Sequence, residues 1–250
     1  MNTERTLIII PTYNERENAP GIVKSVLEVV PDADLLMVDD NSPDGTADMM
    51  EELYRPDPRF SVMRRAGLRG LGRSYVDGYL YAVSSGYARV AQMDADFSHK
   101  PAYLPGMIDL SAGSDVVLGS RYCPGGGVDN WPPHRYWLSR FANAYVAAIT
   151  GLTVGDSTSG FRVYTRRALE RIPLVKIQSN GYAFQVEMTY RAREQGLTMV
   201  ESPIIFTDRL EGQSKISRTV LIESMIMPWK LRFGIRARTE LKTASTVVKK

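Results

Sequence analysis

Short apolar runs alternate with helical periodicity through the first half of this chain, and that alternation restricts the fold more than any other feature of the sequence. TLIII (6–10), LLMV (35–38), FSVM (60–63), ARVAQM (88–93) and DVVLG (115–119) each have the length of a strand. Between the first two, Asn18 and Pro20 stand where a helix begins, and Ile22, Val23, Val26, Leu27 and Val30 recur on one helical face. Met49, Met50 and Leu53 mark a second, short helix. After the Gly-rich GLRGLG (67–72), Val76, Leu80 and Val83 predict a third that stops at Gly86. Strand and helix in alternation predict an α/β fold, a doubly wound sheet with right-handed crossovers built as a single large domain. With 250 residues, 44% of them hydrophobic, the chain can fill one substantial core.

Several classes of protein are excluded by what the chain lacks. The single cysteine, Cys123, leaves no internal disulfide and fits a reducing compartment. MNTERTLIII (1–10) has no basic region followed by a long apolar stretch, so a cytoplasmic location is expected. No run reaches the ~18 apolar residues of a membrane-spanning helix; FANAYVAAITGL (141–152) is too short, and 219–229 is interrupted by Glu223 and Pro228. The formal net charge of +3 is small, yet Lys230, Arg232, Arg236, Arg238, Lys242, Lys249 and Lys250 face one acid, Glu240. A basic tail of this kind suits a solvated terminus or an anionic surface, and no nucleic-acid-binding module accompanies it.

In open α/β sheets ligands bind outside the carboxyl ends of the strands, near the switch in strand order. The segments that follow the predicted strands are therefore informative: PTYNE, DDNSPDG, DADFSH and SRY should converge on one rim. Neither a G-x-G-x-x-G after the first strand nor a P-loop is present, so no nicotinamide cofactor is indicated. Asp94 and Asp96 are separated by one residue, and in extended chain such residues point the same way. Ala95 between them leaves room for a ligand to approach the backbone. Hard oxygen ligands without a Cys or His cluster suit Mg²⁺ or Mn²⁺, with water and phosphate oxygens completing the shell. An acidic turn after a strand is the alternative reading.

The motifs PTYNE (11–15), VDDNSPDGT (38–46), DADFSH (94–99), GSRY (119–122), TSGFR (158–162), GYAFQVEM (181–188) and RLEGQSK (209–215) occur in this order. Together they resemble the dolichol- or polyprenol-phosphate mannose synthases, inverting family 2 glycosyltransferases, over residues 7–215. The resemblance implies a GT-A fold with a mixed sheet, a catalytic domain at 1–215 and an amphipathic, basic segment at 216–250. It implies transfer of mannose from GDP-mannose to a polyprenyl (dolichyl-type) phosphate, with Mg²⁺ or Mn²⁺ as cofactor. It puts the donor on Pro11, Tyr13, Glu15, Val38, Asp40, Asp94, Ala95, Asp96, Arg209 and Lys215, with Asp40 against guanine. The metal falls on Asp94 and Asp96, and the third position, often Gln in the family, is Ser98 here. Arg121, Arg135 and Ser139 fall where the acceptor phosphate is held. Some relatives carry transmembrane helices after the catalytic domain, and this chain has none.

The chemistry agrees with that implication. A nucleoside diphosphate leaving group gains negative charge, which a divalent cation on Asp94 and Asp96, with Arg209 and Lys215, would stabilise. A phosphate monoester acceptor is already ionised and needs no general base, so Glu187 is expected to orient rather than catalyse. Two anions must meet, and Arg121, Arg135, Arg162, Arg209 and Lys215 supply positive charge. Arg121, directly after a predicted strand, is the expected catalytic cation. The segments 137–152 and 219–236 carry apolar faces beside Lys and Arg, as interfacial docking at the cytoplasmic face of a membrane requires. Three alternatives stay open: a relative using UDP-glucose or another donor, a nucleotidyltransferase, and a non-catalytic nucleotide- or lipid-phosphate-binding partner of a membrane protein.

Overall fold

The computed structural model describes residues 4–177, 179, 181–208, 218–234 and 247–249. Among them, eight strands form one mixed sheet. Its first half is built as expected: β1 (Thr6–Thr12), β2 (Asp34–Asp39), β3 (Phe60–Arg64) and β4 (Arg89–Gln92) lie parallel in the order β3-β2-β1-β4. The second half adds β5 (Val116–Ser120), β7 (Arg162–Thr165) and β8 (Met199–Pro203). β7 enters antiparallel between β4 and β5, and β8 pairs parallel with β5. β10 (Val247–Lys249) closes the far edge antiparallel to β3. A separate two-stranded ribbon joins β6 (Gly127–Asp129) to β9 (Ile205–Thr207).

Each central strand is apolar on both faces because helices cover both faces. Ile8, Ile10, Leu35 and Met37 pack with α1 (Ala19–Val29), α2 (Thr46–Tyr54) and α4 (Leu104–Leu110). Their alternate neighbours, Leu7, Ile9, Leu36 and Val38, pack on the other face with α3 (Leu71–Ser84), α6 (Arg166–Arg171) and α7 (Gly181–Glu194). A third cluster joins α7 to α5 (Pro133–Thr150) and α8 (Arg218–Phe233) through Val146, Val186, Tyr190, Met227 and Leu231.

Helix α3 buries more than its aliphatic spacing predicts: Val76 and Val83 pack against the core as expected, but an aromatic face beside them is buried more deeply. Leu80 is exposed, while Tyr75, Tyr79 and Ala82 are buried. The two tyrosine rings stack with Phe184 of α7, at 5.7 and 6.5 Å between centroids. Small residues permit this close approach: a Cβ on Gly72 would lie 2.5 Å from the Ser179 carbonyl oxygen. Aromatic burial therefore outweighs the aliphatic stripe. Likewise α8 runs through Pro228 instead of breaking there, its neighbours Met227 and Leu231 being buried in the third cluster. No helix among the described residues is long and apolar enough to cross a membrane.

Candidate active site

The order β3-β2-β1-β4 places the switch in winding between β1 and β4, and a cleft of about 190 Å³ opens there. The end of β1 supplies Pro11 and Thr12, and the segment after it Tyr13 and Glu15. The segment after β4 supplies Asp94, Ala95 and Asp96, and Asp40, Leu71 and Ser74 complete the lining. Three of the four segments expected on the rim thus meet in one cleft. Thr12, Leu71 and Ser74 carry no chemistry that marks them in the sequence, and only the docking of α3 brings the last two in.

The acidic pair is held from several sides. The Asp94 side chain is 28% exposed and Asp96 only 8%. Tyr75 donates its hydroxyl to Asp94 Oδ1 at 3.2 Å, and the Asp94 backbone N–H donates to His99 Nδ1 at 3.3 Å. His99 is buried between Phe161 and Phe206, and that burial pushes its pKa below the ordinary value despite the nearby carboxylates. Ser98, expected as a third ligand, is also buried, and its hydroxyl donates to Asp96 Oδ1 at 2.6 Å. The loop turns through Phe97, whose φ of 60° is left-handed and costly for a bulky side chain. Its ring rests on α1, where a Cβ on Gly21 would lie 3.1 Å from Phe97 Cζ. Opposite the acids, a Cβ on Gly160 would meet the Asp94 carboxylate at 3.5 and 3.6 Å, so the glycine keeps that space open.

Asp40 is buried, paired with Arg65, and accepts from the Gly70 N–H at 2.7 Å. This bond ties the start of α3 to the rim, so the glycines of 67–72 do serve a turn into a helix. Tyr13 stands at the mouth, with the Arg69 guanidinium 4.3 Å above its ring. Val38 is fully buried in the core, so any part it takes in binding comes through its backbone.

A second group forms beside the cleft around Arg121, directly after β5. Its guanidinium is clamped by the fully buried Asp156, Nε at 2.6 Å and Nη2 at 2.7 Å, and also donates to Thr158. Burial works to raise the Asp156 pKa, but the Arg121 charge and hydrogen bonds outweigh it and hold the carboxyl below its ordinary value. Arg135 pairs with Asp208 at 2.7 Å, and Ser139 accepts from the Tyr122 hydroxyl at 2.6 Å. The structure thus gathers the three residues expected around the acceptor phosphate.

Arg162 does not join them. It is fully buried and donates to the Ser157 and Ser159 carbonyls and to the hydroxyls of Thr189 and Tyr164. Its charge is spent on the core, which corrects the expectation that it supplies the site. Glu187 is buried as well, accepting from the Ser179 hydroxyl at 2.5 Å and pairing with Arg191. Burial pushes the Cys123 thiol up, which suits an inert side chain. Arg209 and Lys215 lie outside the described residues, as does the boundary expected at 215.

Comparison with known proteins agrees with this geometry. The model of glycosyl transferase family 2 matches residues 7–173. Polyprenol monophosphomannose synthase of Mycolicibacterium smegmatis is 46% identical over 242 residues, 95% of this chain and 90% of that protein. Undecaprenyl-phosphate mannosyltransferase of Micrococcus luteus is 40% identical over 236 residues, 94% of this chain and 96% of that protein. Among solved structures, glucosyl-3-phosphoglycerate synthase from Mycobacterium tuberculosis, with Mn²⁺, UDP and phosphoglyceric acid, superposes with a TM-score of 0.67. It covers 94% of this chain and 80% of that one at 16% identity, a likeness of fold alone.

Proposed function

The chain belongs to glycosyl transferase family 2, and from that premise we propose that it transfers mannose from GDP-mannose to a polyprenyl phosphate with the help of a divalent cation. The observation that carries this reading is the placement of Asp94 and Asp96 at the winding switch, next to a separate arginine group, in a chain 40–46% identical to two polyprenyl-phosphate mannosyltransferases.

The donor lies along the cleft, its base toward Asp40 and Tyr13 and its diphosphate toward Asp94 and Asp96. The residues present fit a Mg²⁺ or Mn²⁺ ion: Asp94 and Asp96 line the same cleft, Gly160 leaves space beside the Asp94 carboxylate, and diphosphate oxygens and water would complete a hard-oxygen shell. Bound there, the ion offsets the charge that develops on the leaving diphosphate. Ser98 donates its hydroxyl to Asp96 Oδ1 and so orients that carboxylate, while its oxygen lone pairs stay available as a third, neutral ligand. Arg209 and Lys215, outside the described residues, are further cations proposed for the diphosphate.

The acceptor phosphate binds at Arg121, Arg135 and Ser139. Being ionised, it attacks the anomeric carbon without a general base, from the face opposite the departing diphosphate, which inverts the configuration. Glu187 supports the wall of the site by accepting from Ser179. The lipid tail is left at a membrane surface. Trp137 and Phe141 on α5 and Met225, Trp229 and Phe233 on α8 are exposed, and Arg140 and Arg232 beside them are exposed too. Trp229 donates to Tyr145 at 2.7 Å, so the two helices present one apolar, basic-edged face suited to peripheral docking on a cytoplasmic leaflet. Arg135 and Ser139 lie on this same helix α5, which puts the phosphate site beside the docking face.

The test is transfer of label from GDP-mannose or UDP-glucose to polyprenyl phosphate in detergent, with and without Mg²⁺. Label entering the organic phase from GDP-mannose alone, and only with metal, is expected. Transfer from UDP-glucose instead would overturn the donor, and transfer in the presence of excess chelator would overturn the role of the acidic pair.

A further inference from the structure

Trp131 sits where the ribbon hands the chain to α5. Asn130 before it is left-handed, with φ of 60°, and Pro132 and Pro133 follow, so the backbone around the indole has little freedom. The ring faces two arginines at once. The Arg135 guanidinium lies 4.2 Å from its centroid and the Arg121 guanidinium 5.5 Å. Two like charges crowd onto one small surface, and an electron-rich indole face between them is the arrangement that lowers the cost of doing so. The opposing elements continue the framework. Phe206 of β9 meets Trp131 edge-on at 5.5 Å and also touches the Arg121 guanidinium, at 5.5 Å. Phe206 in turn meets His99 at 5.3 Å, and His99 accepts from the Asp94 backbone.

We infer that Trp131 is a positioning residue for the acceptor: its indole holds Arg121 and Arg135 side by side on one phosphate and, through Phe206 and His99, fixes their distance from the metal-binding acids. The inference rests on the acceptor reading given above. Asp156 and Asp208 each anchor one arginine from its far side, while Trp131 is the element common to both. The Trp131 Nε1 is buried without a hydrogen-bond partner among the described residues. The contacts that the described residues do make to Trp131 are therefore with its ring.

Calorimetric binding of a short, water-soluble prenyl phosphate, with GDP and Mg²⁺ titrated in parallel, separates the possibilities. Trp131→Leu is expected to weaken prenyl phosphate binding roughly tenfold, the weight of two cation–π contacts at the lower end of their range. GDP binding should stay within about twofold, because a local loss on the acceptor side leaves the donor cleft intact. Trp131→Phe, which keeps a π-face and lacks the N–H, should recover most of the affinity. Absence of binding by the unaltered chain would overturn the acceptor reading and this inference with it. Binding by the unaltered chain that Trp131→Leu leaves unchanged would overturn this inference alone. So would equal weakening of GDP, which marks a folding defect, or a Trp131→Phe variant as damaged as Trp131→Leu, which assigns the role to the N–H.

Discussion

Asp156→Ala removes the carboxylate that clamps Arg121 and leaves the guanidinium, itself only 8% exposed, without its counter-charge. Breaking a buried pair by deleting one partner costs about 3–5 kcal/mol, because the remaining charge stays desolvated. For a domain of this size each kcal/mol moves the melting temperature by about 2–4 °C, so thermal unfolding at neutral pH should drop by roughly 6–20 °C. Acid adds a second reading. The Asp156 carboxyl is held below its ordinary value in the folded state, so the unfolded chain takes up the proton first as pH falls. The pair's contribution is complete above the unfolded value of about 3.9 and is lost as pH falls through the lower folded one. The gap between unaltered chain and variant should therefore be constant from neutral pH to about 5 and shrink below about 4. The double variant Arg121→Met, Asp156→Leu should recover most of the lost melting temperature while remaining inactive, since the uncompensated charge goes with its partner. A single variant that melts within about 3 °C of the unaltered chain would refute the reasoning, and so would a gap that widens in acid.

Two further outcomes bear on the site itself. Asp96→Asn should lower kcat by about 100-fold or more, through loss of charge stabilisation at the leaving group, while Glu187→Gln stays within about tenfold; equal losses in steady-state transfer would make Glu187 a base. Replacing Trp137, Phe141 and Phe233 together by Ser should weaken partitioning onto vesicles containing anionic lipid by at least roughly tenfold. Donor binding measured by calorimetry should not change, and unchanged sedimentation with vesicles would dismiss the α5–α8 face.

The first half of the sheet was legible because β1 to β5 are apolar runs ending in polar segments, a pattern local to each strand. The acidic pair was legible for the same reason: its spacing and its place after β4 are local. What escaped depends on distant partners. Strand β7 begins with a buried arginine, whose fit rests on Thr189, 27 residues away, and on carbonyls that only the folded turn presents. Asp156 reads as an ordinary turn acid until Arg121, 35 positions earlier, is brought against it. On α3, Val76 and Val83 pack inward as their spacing predicts, but the burial of Tyr75 and Tyr79 depends on Phe184 of α7. Trp131 reads as an isolated aromatic until the ribbon sets it against Arg121 and α5 brings Arg135 onto its ring.

The left-handed turn at Phe97 gives the acidic loop an anchor outside the cleft. Because that turn is intrinsically unfavourable, its persistence relies on contacts such as the tip of the phenyl ring resting against α1 at Gly21. Gly21 lines no part of the cleft, yet a side chain placed there would press on the tip of the Phe97 ring, and Phe97 is joined to Asp96 by a single peptide unit. The reach of the active centre is thus longer than its lining. A mutational map of activity should show a sensitive spot on the outer helix, on the opposite side of the sheet from α3, and a redesign that protects only cleft residues would lose the enzyme through a glycine it had left unguarded.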